Sequence, residues 1–426
     1  MSLATSKSGA VRPRLILLAQ FFSPEPTMKG LAFARRLDEL GFDVEVVTGF
    51  PNYPGGKLYP GYRIRAIQRE EMDGIPVTRL ALYPSHDRSR IGRVLNYVSF
   101  FLSATFYLLF RAPRADVLYV YHPPLTVALA GALTRLLRRT PIVLDVQDMW
   151  PDTLRATGML NNERALRLIG AVCRWTWRRA DRIAVLSEGF RRLLIERGVA
   201  EDRINVIHNW ADRDVGAGVD TPSEPDGPRA PSAAIPAPGK FRVLFAGNMG
   251  PAQALDAVLD AAAIVARTHQ DSEFCFLGSG LDKERLAARA ARDGIGNTRF
   301  LPQVPMAEVG AWLAGADCLL VHLKADPLFA VTIPSKTQAY LAAGRPIIMA
   351  VEGDAAALVQ RAGAGLVTPP ENPQALADAV LRLAALTPAE RAQIGASARA
   401  YYEQELSFER GVRAFAALFS DVARGA

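Results

Sequence analysis

Short apolar runs alternate with amphipathic stretches along the first half of the chain. Leu15–Ala19 is continuously apolar, Gly30–Leu40 has a helical period ending at Gly41, and Val44–Thr48 is apolar again. Val117–Tyr121, Ile142–Val146 and Ile183–Leu186 repeat the theme, with amphipathic segments between them. Apolar runs of about five residues separated by helices indicate parallel strands covered on both faces. The pattern therefore predicts a doubly wound α/β sheet. It breaks at Asp214–Gly239, where Pro222, Pro225, Pro228, Pro231, Pro236 and Pro238 stand among Gly, Ser and Ala without an apolar period. It then restarts. Arg242–Ala246, Glu273–Leu277, Cys318–Leu323 and Pro346–Ala350 read as strands, and Ala252–Arg267 and Leu281–Arg292 as helices. The expectation is a Rossmann-like domain over 1–213, a Pro-rich linker over 214–239, and a second Rossmann-like domain over 240–396. A helical segment, 397–426, crosses back to the first domain.

One stretch departs from amphipathicity. Leu95–Phe110 (LNYVSFFLSATFYLLF) is apolar on nearly every face, with Arg88, Arg90 and Arg93 before it and Arg111 and Arg114 after it. As a helix of sixteen residues it reaches about 24 Å, short of the roughly 30 Å hydrocarbon core. Two readings stand: a buried core helix, or a helix lying in the membrane interface with its arginines on lipid phosphates.

Charge sharpens that choice. The chain of 426 residues has a net charge of +7, but residues 1–213 hold 31 Lys and Arg against 20 Asp and Glu, leaving 19 against 23 for the rest. A basic first half suggests an anionic surface. No helix-turn-helix, zinc or RNA signature accompanies it, so nucleic acid is not expected and anionic lipid is. Met1–Arg14 is polar and basic, and Leu15–Ala19 is too short for a signal peptide. The expected location is cytoplasmic, on the inner face of the cell membrane. Cys173, Cys275 and Cys318 are widely spaced in apolar segments, which fits buried reduced thiols.

In open α/β sheets ligands bind at the carboxyl ends of the strands, so the informative residues follow the strands. In the second half these are Gly247-Asn248-Met249-Gly250 with Gln253, then Gly278-Ser279-Gly280, where glycine lets backbone approach a ligand. Pro334-Ser335-Lys336 opens a helix; its amides and the lysine suit a phosphate. Together these loops predict a diphosphate site. In the first half, His122 ends a strand before Pro123-Pro124, and Asp148-Met149-Trp150-Pro151 ends the next. Such polar and aromatic groups suit sugar hydroxyls and an apolar sugar face. Lys29, Trp150 and Asn209 are assigned to the acceptor side, and His122 and Asp148 to catalysis.

These motifs fall in an order that resembles the GT-B glycosyltransferases of family 4 along nearly the whole chain. The match includes His122, the Asp148 motif, Leu186-Ser187-Glu188, His208-Asn209-Trp210-Ala211-Asp212, the Gly247 loop, Gly278-Ser279-Gly280 and Gly344-Arg345-Pro346. Pro327–Pro346 and Gly247–Leu255 are more closely similar to O-antigen and capsule transferases for N-acetyl-L-fucosamine. The resemblance implies a UDP-sugar donor held by the second domain, and an acceptor sugar on an undecaprenyl diphosphate carrier held by the first. It also implies retention at the anomeric carbon without a metal or other cofactor, His122 supporting the oxocarbenium-like centre and Asp148 the acceptor hydroxyl. Departures are local. Val331 and Ala339 stand where the family commonly has two glutamates, and Asn248 and Gln253 where it has an arginine and a lysine, so Lys336 is expected to carry that charge. A UDP-sugar 2-epimerase and a non-catalytic membrane scaffold are the alternatives on the same fold.

Overall fold

The computed structural model describes residues 12–85, 90–211 and 239–425. The first sheet contains β1 (Arg14–Leu18), β2 (Asp43–Gly49), β3 (Ile67–Met72), β4 (Ile75–Leu80), β5 (Val117–His122), β6 (Ile142–Val146), β7 (Arg182–Val185) and β8 (Ile204–Val206). Its order is β3-β4-β2-β1-β5-β6-β7-β8, parallel except for the β3–β4 hairpin. The second contains β9 (Phe241–Ala246), β10 (Ser272–Leu277), β11 (Thr298–Leu301), β12 (Cys318–His322), β13 (Ile347–Ala350) and β14 (Gly365–Val367), all parallel, in the order β11-β10-β9-β12-β13-β14. Both are the doubly wound sheets that the apolar runs predict. Strands such as Arg14–Leu18 and Ile142–Val146 are buried along nearly their whole length because helices cover both faces.

Three differences have local causes. The hairpin β3–β4 escapes the apolar-run criterion because Ile67–Met72 is an edge strand of alternating exposure. The helix expected from Ala252 begins at Asp256, since Pro251–Gln253 forms a 3₁₀ turn and Ala254 takes a left-handed φ of 44°. The C-terminal segment is not one helix: Pro388–Tyr401 passes through a π-helical turn at Tyr402–Leu406 into Phe408–Arg424. That last helix does return to the first domain. It buries Phe408, Val412, Phe415, Phe419 and Val422 on one stripe. Phe415 meets Phe33 edge-on at 5.5 Å and Tyr119 at 5.7 Å, and Trp210 meets Phe408 at 5.4 Å. Arg36 adds a two-pronged bond to Glu409, at 2.9 and 2.7 Å.

The two domains also touch across the cleft. Ser187 Oγ donates to the Val331 carbonyl at 2.6 Å, and the Gly189 amide donates to the Asp354 carboxylate, which Arg192 reaches at 3.1 Å. Only glycine fits at 189: a Cβ there would lie 2.5 Å from that of Val331. The three cysteines are buried and unpaired. Of the Pro-rich stretch 214–239, all but Gly239 lies outside the described residues, as does Arg88.

Arg90–Phe110 is a single helix of 21 residues, about 31 Å long at 1.5 Å per residue. It is neither wholly buried nor free. Asn96, Phe100, Ala104, Tyr107 and Leu108 face the first domain and are inaccessible or nearly so. Ile91, Val94, Val98, Leu102, Phe106 and Phe110 form the opposite stripe, with Ile91 74 % and Phe110 69 % exposed. At 21 residues the helix is longer than the sixteen-residue apolar run and, by length and composition alone, long enough to cross a membrane, while one of its faces is packed against the first domain.

Candidate functional site

The carboxyl ends of the two sheets enclose a cavity of about 620 Å³. From the first domain come Met28, Trp210 and Ala211; the remaining wall belongs to the second. Gly247 and Gly278 bring the loops after β9 and β10 into backbone contact. Gly278 has a φ of 134° and a Cβ there would lie 2.3 Å from the Gly247 carbonyl. Gly280, φ 150°, is pressed as closely onto the Met249 carbonyl. The Gly247 amide donates to Leu277 O at 2.9 Å, locking the pair. These glycines keep the cavity floor free of side chains.

Gly247, Asn248, Gln253, Gly278, Pro334, Ser335 and Lys336 all line this space, whereas Gly280 lies behind it and has a packing role. Gln253 accepts from the Gly250 amide at 3.0 Å, which turns its side chain toward its own loop. Lys336, in the first turn of helix Ser335–Ala343, is the only charged residue among those described in the wall. Its ammonium is buried 3.7 Å above the Phe245 ring with no hydrogen-bond partner among the described residues. Burial alone pushes its pKa down to about 7. The cation–π contact repays only part of that cost. Such a group fits an anion brought by a ligand. Ala339, at one of the two positions where the resembled family commonly has a glutamate, also lines the wall. Val331, at the other, packs on Gly189 instead.

The cavity does not include the expected catalytic and acceptor residues. His122 ends β5, its carbonyl accepting from the Gln147 amide at 2.9 Å. Its ring meets Trp150 edge-on at 6.3 Å, and neither ring nitrogen has a hydrogen-bond partner among the described residues. Burial pushes its pKa down to about 4, only partly offset by its own backbone, so the imidazole is neutral. Asp148 is half-buried and accepts from Thr153 Oγ1 at 3.0 Å; desolvation raises its pKa.

Lys29 is buried within the first domain. Its side chain is fully buried, 3.3 Å from Asp145 and donating to Asn209 Oδ1 at 2.9 Å, with its charge 4.7 Å from the Trp210 ring. Burial lowers its pKa while Asp145 raises it. Tyr119 also donates to Asp145, at 2.6 Å, and Asn209 donates to Gln147 at 2.6 Å. Asp145 and Asn209 thus hold the ammonium inside the first domain. It positions Asn209 and Trp210, and thereby the first-domain wall of the cavity.

Several wall residues escaped the sequence reading. Val304, Met306, Val309 and Leu313 form an apolar end, and Gln303, which accepts from Ser279 Oγ at 3.0 Å, lines the same cavity. They follow β11, whose four residues, Thr-Arg-Phe-Leu, carry too short a pattern to mark a strand. Tyr340 also lines the cavity, and its hydroxyl holds both the amide and the carbonyl of Ala246. Trp210 belongs to the His208–Asp212 motif, but nothing in its spacing shows which way the ring faces.

Comparison with known proteins agrees with this architecture. Residues 31–210 match the model of the glycosyl transferase 4-like domain, and residues 240–385 that of the glycosyl transferases group 1. WcaI of Escherichia coli, named for colanic acid biosynthesis, is 28% identical over 92% of this chain and 96% of its own. The glycosyltransferase WbjE of Pseudomonas aeruginosa is 28% identical over 72% of this chain and 75% of its own. Among solved structures, Anabaena HepE in complex with UDP superposes with a TM-score of 0.62 at 17% identity, covering 96% of this chain and 100% of that one. Two doubly wound domains meeting at a glycine-lined cavity, with both halves matching their respective family models, make this chain a member of the GT-B glycosyltransferases of family 4 type.

Proposed function

We propose that this protein transfers a sugar from a UDP-sugar to an acceptor sugar on a polyprenyl diphosphate, undecaprenyl diphosphate in a bacterium, during assembly of a surface polysaccharide. The observation that carries the donor half is Lys336, a buried ammonium with no hydrogen-bond partner among the described residues and the single charged one in the described cavity wall. The diphosphate lies against Lys336 and the Gly247 loop, and the uracil enters the apolar end at Val304 and Val309. HepE's complex with UDP supports the donor class, and WcaI's name supports the pathway. The sugar is N-acetyl-L-fucosamine or a close relative, as the Pro327–Pro346 stretch suggests.

Reaction proceeds with retention. The glycosidic C–O bond to the diphosphate breaks as the acceptor oxygen bonds on the same face, and the leaving diphosphate oxygen takes the acceptor proton. With no carboxylate among the described wall residues, neither a glycosyl-enzyme nor the acid/base chemistry of an epimerase is favoured. The neutral His122 supports positive charge at the anomeric centre once the cleft closes on substrate, and Asp148 orients the acceptor hydroxyl. The acceptor arrives from the membrane. The stripe Ile91–Phe110 enters the acyl boundary, and Arg111 and Arg114 meet anionic headgroups. Purified protein should transfer sugar from one member of a UDP-sugar panel to a short polyprenyl-diphosphate-linked sugar, with retained anomeric configuration by NMR. Release of UDP without a transferred sugar, or an inverted product, overturns the reading.

A further inference from the structure

A second buried histidine ends a strand of the second sheet, just behind the cavity wall. His322 closes β12, and both of its ring nitrogens are engaged. Nε2 accepts from the Glu371 amide at 3.2 Å, which places the lone pair there and the proton of the neutral ring on Nδ1. Nδ1 in turn donates to the Gln253 carbonyl at 2.7 Å. Burial lowers the imidazole's pKa, with the bond to Gln253 opposing it, and a neutral ring is the form that these two partners require.

The partners belong to different loops at the carboxyl edge of the sheet. Gln253 closes the 3₁₀ turn after β9, next to the left-handed Ala254. Glu371 follows β14 and is itself left-handed, with a φ of 52°. Non-glycine residues persist in that conformation where their neighbours hold them. The chain after His322 completes the seam: the Lys324 amide donates to the Ala252 carbonyl at 3.0 Å, and the Ala325 amide to the Glu371 carboxylate at 2.7 Å.

Gln253 links this seam to the donor cavity. Its side chain lines the wall, and its Oε1 accepts from the Gly250 amide at 3.0 Å, so turn and wall move together. Asn248 and Gln253 carry no charge. A neutral group acts on a ligand through its dipole, and that contribution depends on orientation fixed in advance.

We propose that His322 is a positioning residue of the donor site: its imidazole, protonated on Nδ1, clamps the Gln253 turn to the loop after β14 and thereby sets the wall that receives the nucleotide. The inference rests on the donor reading above and adds a residue outside the wall on which that wall depends. The bond to Gln253 carries the effect, because Gln253 lines the cavity and Glu371 does not.

Two substitutions divide the bonds. The amide nitrogen of asparagine lies as many bonds from Cβ as Nδ1 does, so His322→Asn keeps the donor to Gln253 and loses the acceptor for Glu371. The amide oxygen of glutamine lies as far out as Nε2, so His322→Gln keeps the acceptor and loses the donor. Each variant gives up one hydrogen bond and should lower the thermal midpoint by a similar amount, so stability does not separate them. UDP affinity should. Calorimetry should show His322→Asn binding UDP as the wild type does, and His322→Gln binding it roughly five- to tenfold more weakly, the scale of one hydrogen bond lost at a buried carbonyl. Equal affinities in the two variants, or wild-type affinity in His322→Gln, overturn the proposal. Nitrogen NMR of the wild-type imidazole gives a check without nucleotide: Nδ1 should be protonated and Nε2 bare, and the opposite tautomer rules the clamp out. If the wild type does not bind UDP, the donor reading falls, and amide exchange of the Gln253 turn in the free protein decides the clamp by itself. Faster exchange in His322→Gln than in His322→Asn supports it; equal exchange in the two refutes it.

Discussion

Replacing Lys336 by methionine keeps the length of the side chain and removes the only charge described in the cavity wall. In the free protein the ammonium is depressed from 10.5 to about 7 by burial. That corresponds to about 4–5 kcal/mol of lost solvation, at roughly 1.4 kcal/mol per tenfold. A diphosphate seated against it restores the charged form, so UDP binding takes up a proton between pH 7 and the higher pKa of the complex. UDP affinity should fall by up to about tenfold per pH unit above 7, where the nucleotide's phosphate, with a pKa of about 6, is already ionised. At pH 7 the charge-assisted contact is worth about 1.5–3 kcal/mol, so Lys336→Met should bind UDP roughly 10- to 100-fold more weakly and without pH dependence. Calorimetry at pH 8 in buffers of different ionisation enthalpy reads the proton uptake directly. Stability offers a second check. The folded pKa lies below the unfolded one, so this lysine's contribution to wild-type stability should rise with pH from about 7 to about 10.5, and the rise should be absent from Lys336→Met when the two stability curves are subtracted. Unchanged UDP affinity in the variant, or wild-type affinity flat from pH 7 to 9, refutes the placement of the diphosphate.

His122→Ala should lower kcat by roughly a hundredfold, the scale of one oriented electrostatic group, with UDP affinity unaltered; equal losses in both would make it a structural or donor-site residue. Replacing Leu102 and Phe106, both outward-facing, by serine should release the protein from anionic vesicles in a flotation assay without lowering the melting temperature. Phe100→Ser, at a wholly inaccessible position, should instead unfold the first domain. Phe415→Ala should cost about 3–5 kcal/mol in urea denaturation, as a large core truncation does, and detach the C-terminal helix.

Strands buried on both faces were the easiest features to read in advance, because a five-residue apolar run such as Ile142–Val146 has few other uses. The edge hairpin was not, yet Asp73-Gly74, with φ of 48° and 82°, is the dipeptide of a two-residue hairpin turn and could have been found. The glycine loops and Lys336 were legible because ligand sites at strand ends follow from topology. The surroundings of Lys29 are not legible in composition: Asp145 and Asn209 are 116 and 180 residues away in sequence, and only the fold brings them to its ammonium. The outward stripe of Arg90–Phe110 was similarly hidden. Apolar residues cover the whole helix, and only packing decides which of them water or lipid will meet.

The charge economy of the cavity bears on the chemistry itself. Breaking the bond to the leaving group adds negative charge to the diphosphate, so a donor-side interaction speeds reaction only if it strengthens with that charge. A neutral donor in the wall, such as the Asn248 amide, would strengthen with that charge only to the extent of its dipole. With the diphosphate placed as proposed, Lys336 would respond more strongly, because each increment of charge would meet a buried cation with no hydrogen-bond partner among the described residues. A family with several cations around its diphosphate can lose one and keep most of this effect. Here the described wall holds a single one, so binding and turnover should depend on the same nitrogen.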